Sequence, residues 1–283
     1  MQAKIISLYQ SEICEIKNFV CQCTGCSLSK PEYQDKFSFC YIRKGNFLFK
    51  IFRNNLDSHT GRVLLNKPGY DYRVAHIHTV PDECTIFSFT PSFYELLTER
   101  YKSNLKGFLV KRDIQSVLIN STLSIDYLHY RITELLSKRK FSNLQVDCLL
   151  MELIEKVFSI EKDSAVIKRI LVKYKKNYLT KVEEAKEYIH QNFDNDITLA
   201  QIATGCSMSQ FHFARTFKQI AGISPYQYLL SFRLKHSENL LKTTRLSVND
   251  IALLSGFNTA SHFSFTFAEK NNLTPTFYRE LTM

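Results

Sequence analysis

Hydrophobic positions change their rhythm partway along this chain. Before residue 90 they cluster in short runs, and beyond Pro91 they recur every three or four residues. The runs Phe37-Ser38-Phe39-Cys40-Tyr41-Ile42 and Phe47-Leu48-Phe49-Lys50-Ile51-Phe52 are aromatic and β-branched, which suits strands. Lys44-Gly45-Asn46 between them predicts a hairpin. Shorter runs follow at Val63-Leu64-Leu65, Tyr72-Arg73-Val74 and Thr85-Ile86-Phe87-Ser88-Phe89, punctuated by Pro68-Gly69 and Pro81-Asp82. Short strands between turn signals predict a small barrel or sandwich. Further on, Leu128, Ile132, Leu135 and Leu136 share one helical face, as do Val146, Leu149, Leu150, Leu153, Ile154, Val157 and Phe158. Packing onto the strands accounts for part of both stripes. The second is also long enough for a dimer seam.

The last third repeats itself. Ile202-Ala203, a break at Gly205-Cys206-Ser207, then Phe213, Phe217, Pro225 and Tyr228 recur as Ile251-Ala252, Ser255-Gly256-Phe257, Phe263, Phe267, Pro275 and Tyr278. Each copy predicts helix, tight turn, helix. Thr198 is placed to cap the first helix, and Gly205 suits a left-handed turn residue. Ser209 is placed to cap the second helix, whose Phe213 and Phe217 face inward. Gln210, Phe211, His212, Arg215, Lys218 and Gln219 then face outward or lie at the margins. In the second copy Asn249 or Ser247 is placed to cap the helix through Ile251, Ala252 and Leu254, and the outer helix presents Ala260, Ser261, His262, Ser264 and Phe265. A helix starting after Ser224 separates the copies, so two outer helices could reach successive major-groove faces of duplex DNA.

Residues 181–283 resemble the DNA-binding domain of the AraC/XylS family. The resemblance rests on Leu199-Ala200, Ile202-Ala203, Ser209, Phe213, Arg215, Phe217-Lys218, Gly222-Ile223-Ser224-Pro225, Tyr228, Arg233, Leu240-Leu241, Ile251-Ala252, Gly256-Phe257, Ser261, Phe263, Phe267, Thr274-Pro275 and Phe277-Tyr278-Arg279. It implies a sequence-specific transcription regulator, an activator, with double-stranded DNA and RNA polymerase as partners. It implies base-reading positions at Phe211, Ala214 and Arg215, and again at Ser261, His262 and Phe265. The second copy departs from the pattern. Phe265 stands where the family usually has Arg, Ala268 where it has Lys, and Asn272 where it has Gly. Arginine can pair bidentately with guanine, whereas phenylalanine can make only apolar contacts such as one with a thymine methyl.

By the same resemblance, residues 1–160 are expected to form a small cupin-like β-barrel with a helical dimerisation segment, giving an α+β chain whose C-terminal part is all-α. Residues 161–180 are read as a basic linker and 181–283 as the DNA-binding domain. A homodimer, and an unidentified small-molecule or metal effector, are the further expected partners.

Charge sharpens this division. Residues 100–180 carry 16 Lys and Arg against 8 Asp and Glu, while residues 181–283 carry 10 against 9. The excess is dense at Lys168, Arg169, Lys173, Lys175 and Lys176, which could gather phosphates or simply face water. No apolar run approaches the ~20 residues that cross a bilayer, and the first residues lack a secretory signal, so a cytoplasmic protein is expected.

Six of the eight cysteines precede residue 85. Cys23-x-x-Cys26 has a spacing known from zinc sites, and His76-x-His78 sets two imidazoles on one strand face. Cys23, Cys26, His76 and Cys84 are thus candidate zinc ligands, with thiol sensing and plain core roles left open. One alternative function is a cysteine-rich repair-type methyl-transfer domain joined to the same DNA-binding module. The cysteines lack that family's paired spacing, and neither a nucleophile-elbow, a dinucleotide nor a phosphate-loop motif is present. A non-enzymatic regulator is expected.

Overall fold

A computed structural model describes residues 3–22, 28–52, 54–76, 81–138, 141–160 and 172–282, with the backbone alone at 76 and 172–177. The chain divides into two compact units, Met1–Glu183 and Glu184–Met283.

The first unit contains two sheets. Strands β1 (Ala3–Gln10), β2 (Cys14–Cys21), β4 (Ser38–Lys44), β7 (Arg62–Asn66), β9 (Glu83–Phe89) and β10 (Ser116–Asn120) form one, in the order β1-β2-β9-β4-β7-β10. Strands β3 (Glu32–Gln34), β5 (Asn46–Ile51), β6 (Asn54–His59) and β8 (Tyr70–His76) form the other, in the order β3-β8-β5-β6. Helices α1 (Pro91–Arg100), α2 (Leu123–Ser137) and α3 (Asn143–Phe158) follow, α2 and α3 alongside β10 in the chain.

The register explains the layering. Phe39 stands opposite both Phe87 and Leu65, and this row packs into one core with residues of α1, α2 and α3. One step along, Cys40 stands opposite Ile86 and Leu64, and these turn to the other face, where Phe47, Phe49 and Val74 of the second sheet meet them. The six-stranded sheet is therefore a middle layer, covered on both faces. That is why β4 is a continuous apolar run and not an alternating one. Tyr41 ties α2 to this layer: its hydroxyl donates to the buried Asp126 carboxylate at 2.7 Å, and its ring stacks on His129.

Three expectations need correction. The described strands do not close into the expected cupin-like barrel, since each of the two sheets keeps its own edges. Nor do β4 and β5 form a hairpin. β4 pairs with β7 and β9, while β5 pairs with β6 and β8, so the chain crosses between sheets at Gly45. Gly45 has φ +90°, and a Cβ there would overlap Asp82, whose carboxylate accepts from the Asn46 amide at 2.8 Å. Finally, the expected dimer seam is core. Val146, Leu150, Leu153, Ile154, Val157 and Phe158 are all buried within the unit, with Phe158 stacked on Tyr101.

Between the two sheets lies a cavity of about 260 Å³, bounded by residues of β2, β3, β4, β5, β7, β8 and β9.

The second unit is helical among its described residues. The helix α4 (Val172–Asn192) starts within the segment read as a linker and runs past the boundary between the units. Then come α5 (Leu199–Gly205), α6 (Gln210–Ala221), α7 (Pro225–Thr243), α8 (Val248–Leu254), α9 (Ala260–Asn271) and α10 (Pro275–Thr282). The 19 residues of α7 give it a length of roughly 28 Å.

Candidate nucleic-acid interface

The repeat seen in the sequence is a repeat of packing. Phe213 and Phe217 are fully buried, their ring centroids 5.6 Å apart, and Phe263 and Phe267 sit likewise at 5.5 Å. Phe217 meets Tyr228 edge-on, and Phe267 meets Tyr278 edge-on. Pro225 and Pro275 each open the next helix, where a missing N–H costs nothing.

Capping sets where the helices of each copy start. The Thr198 hydroxyl accepts from the Gln201 amide while the Gln201 side chain accepts from the Thr198 amide, a reciprocal cap on α5. Ser247, not Asn249, caps α8 by accepting from Asp250. Ser209 occupies the cap position of α6 without a side-chain hydrogen bond, whereas Thr259 caps α9 by accepting from the His262 amide at 3.1 Å. Thr259 was missed in the sequence, although Thr three residues ahead of a helical stripe is a cap signal.

The turn differs from expectation. Gly205 is the last residue of α5, and the left-handed residue is Ser207, with φ 52°. Its counterpart is Gly256, with φ +79°. The amides of Ser207 and Gly256 donate to Thr204 and Leu253, each at 2.9 Å. Met208 and Phe257 close the two turns in the same way, onto Ala203 and Ala252. The turns therefore align 49 residues apart, and the additional residue of the second copy is Asn258, just past the turn. Both outer helices end in a left-handed residue, Gly222 in one and Asn272 in the other, so asparagine does there what glycine does in the first copy.

Two arginines acquire roles that the sequence did not reveal. Arg233 donates to the carbonyls of Phe193 at 2.7 Å and Asn195 at 2.8 Å, in the loop before α5. Arg279 donates to the Leu246 carbonyl at 2.6 Å, before α8. Each holds the entry of one helix pair in place. Burial lowers the pKa of Arg233 from its ordinary value, the nearby Asp196 partly offsetting this.

The side chains assigned to the outer faces are where the pattern put them. On α6, Gln210, Phe211, His212, Arg215, Lys218 and Gln219 are exposed and Ala214 is half-buried. On α9, Ser261, His262 and Phe265 are exposed and Ser264 is half-buried. Phe211 is 92% exposed and Phe265 72%, each two positions from a buried phenylalanine and so turned to the opposite side of its helix. A ring left in water on a helix that also carries polar side chains is available to a partner.

The comparisons with known proteins agree with this geometry. Residues 202–281 match a family model described as a helix-turn-helix domain. A Chromobacterium violaceum transcriptional regulator, described as containing an AraC-type DNA-binding domain, is 33% identical over 35% of this chain and 89% of its own, with a TM-score of 0.34. This chain belongs to the AraC family of transcription regulators. An AraC-type chain is also similar along most of its length to YdeC of Bacillus subtilis (strain 168), an HTH-type transcriptional regulator, at 24% identity over 88% of this chain and 85% of that one. AdaA of the same organism, a bifunctional transcriptional activator and DNA repair enzyme, is 34% identical over 101 residues. That match covers 36% of this chain and 48% of AdaA, over the helix-turn-helix region. The similarity thus lies in the AraC-type DNA-binding part.

The cysteine candidates do not assemble as a described site. Cys23, Cys26 and the His76 side chain lie outside the described residues, as do His78 and the basic side chains of Lys168, Arg169, Lys173, Lys175 and Lys176. Cys84 is described, and it is buried between the sheets with Cys40, which was not a candidate. A hydrogen bond with Cys40, together with burial, raises the Cys84 thiol well above its ordinary range. Among the described residues, no group of three or more His, Cys, Asp or Glu could hold a metal ion. Among them, too, no helix is long and apolar enough to cross a membrane.

Proposed function

We propose that α6 is the main sequence-reading helix of this AraC-type regulator, that α9 anchors beside it with weaker discrimination, and that the first unit regulates the DNA-binding unit. The observation that carries the proposal is the contrast between matching positions: the exposed Arg215 and Lys218 on α6 against the exposed Phe265 and the half-buried Ala268 on α9. Arg215 can make a bidentate contact with a guanine, and Lys218 can meet a phosphate. Phe265 offers only an apolar surface, which suits a thymine methyl. Gln210, Phe211, His212, Ala214 and Gln219 complete the reading surface of α6, and Ser261, His262 and Ser264 that of α9. The length of α7 supports placing the two helices in successive major-groove faces, which lie ~34 Å apart along B-DNA.

Regulation by the first unit is supported by its own closed core and by the cavity between its sheets. In this reading an effector held there changes DNA occupancy, and the bound regulator activates transcription through RNA polymerase, as a homodimer in the cytoplasm. α3 does not supply the dimer contact, because its apolar stripe is buried. Footprinting of the full chain on the DNA upstream of its own gene, with and without cell extract, tests the proposal. Two protected major-groove faces about one turn apart are expected, the stronger over the α6 half-site. A single protected face, or equal dependence on both helices, would reject the assignment.

A further inference from the structure

The cavity in the first unit has a polar end and an apolar body, and the sheet register shows why. Ser38 of β4 stands opposite Ser88 of β9 and Asn66 of β7, which makes one uncharged polar row across three strands. The next row on the same face is Cys40 with Ile86 and Leu64, and beyond it comes Cys84. Phe47, Phe49, Tyr72 and Val74 of the facing sheet complete the apolar body. Ile86 and Ser88 face the gap between the sheets yet are only half-buried, so the described side chains leave the gap unfilled.

Charge narrows the occupant. Among the described residues, Glu32, Asp35 and Asp82 border the cavity, and Lys17 is the one cation there. The Lys17 ammonium is already engaged 3.0 Å from Glu15. The polar row itself is a neutral network, in which Gln34 donates to the Ser38 hydroxyl at 3.2 Å and Ser116 donates to Asn66 at 2.7 Å. A carboxylate entering this space would lose its water and meet three like charges, a large cost without a compensating partner. A hydroxyl or amide would instead exchange hydrogen bonds with Ser88, Ser38 and Asn66.

We propose that this cavity binds a small uncharged amphiphile, an aromatic or short aliphatic body with a hydroxyl or amide head, and that it excludes carboxylates. An apolar cavity of about 150 Å³ takes benzene. The volume here, about 260 Å³, therefore holds roughly ten to twelve non-hydrogen atoms. The body lies between the Phe49 and Ile86 sides, and the head meets the serine and asparagine row. This inference rests on the regulatory reading of the first unit but is tested separately from it.

Calorimetry on the full chain would compare 4-propylphenol with 4-propylbenzoate, which match in body and differ in head. Alkylation of Cys40 and Cys84, read by peptide mass spectrometry, gives a second measure of occupancy. The phenol is expected to bind and to slow alkylation of both cysteines, with the benzoate about tenfold weaker or worse. Ser88→Lys is expected to reverse that order, a gain that misfolding cannot imitate. Ser88→Ala, the milder change, is expected to weaken the phenol a few-fold at unchanged melting temperature. Equal or better binding of the benzoate to the unmodified protein would overturn the proposal, as would no binding of either probe. If the phenol binds but the DNA footprint does not respond, the ligand class stands and the regulatory reading falls. If the footprint responds to cell extract while neither probe binds, the reverse holds.

Discussion

The two helix-turn-helix halves of the second unit share their buried phenylalanine pairs and closing tyrosines and differ in much of what they display. Phe213 with Phe217 and Phe263 with Phe267 are nearly superimposable in their ring spacing, and Tyr228 and Tyr278 close them in the same way. Outside, one half carries Arg215 and Lys218 where the other carries Phe265 and Ala268. The turns also diverge. Ser207 takes the left-handed position with the strain of a side chain, while Gly256 takes it without one and lies directly against the Phe193 carbonyl. A scaffold can thus be repeated closely while the chemistry it displays is changed, because the buried rings define the helix geometry and the exposed positions do not feed back on it.

The largest effect is expected at the turn of the second half. In Gly256→Ala the new Cβ would overlap the Phe193 carbonyl and approach Arg233 and Asp194, none of which can retreat without moving the helix entry. A loss of about 3 kcal/mol or more is expected in chemical denaturation. A loss below about 1 kcal/mol would mean that the two turns are equally tolerant. Next comes readout. Arg215→Ala should cost ~1–3 kcal/mol of specific binding and relax preference at one base pair, while Phe265→Ala should cost less. A titration giving the opposite order would reverse the assignment of the reading helix. Giving the second half the family's charge, Ala268→Lys, should strengthen specific and random DNA alike and steepen the salt dependence by about 0.9 in log–log slope. An unchanged slope would show that this face of α9 does not meet a phosphate. The smallest effect belongs to Ser207→Gly, which should stabilise the unit by about 1 kcal/mol or less by relieving the left-handed strain. A destabilisation there would show that the Ser207 side chain itself contributes to the turn.

Legibility in the sequence followed the range of the interactions. The second unit was readable nearly residue by residue, down to the Thr198 cap and the exposed row on α6, because helices and caps are decided within four or five neighbouring positions. Where reading failed there, the cause was local degeneracy. Gly205 and Ser207 both suit a turn, and only the hydrogen bonds onto Ala203 and Thr204 select Ser207. In the first unit the strand runs were readable, while β1, β2, β3, β6 and β10 were not singled out. Asn54–His59 is too polar to announce a strand, and it forms one because β5 supplies the pairing partner.

The sequence by itself determined the helical repeat, its inward phenylalanines and the chemical asymmetry of its outer faces, since 3.6-residue periodicity and capping act over a few residues. Tertiary structure alone decided that Gly45 carries the chain between sheets, that the α3 stripe is core, and that Cys84 lies with Cys40 between the sheets. Each of those outcomes depends on which distant strand or helix covers a given face. An apolar face satisfies the hydrophobic effect equally well against a sheet, a helix or a second subunit. The pattern along the chain records that a face must be covered, and only the assembled layers show by what.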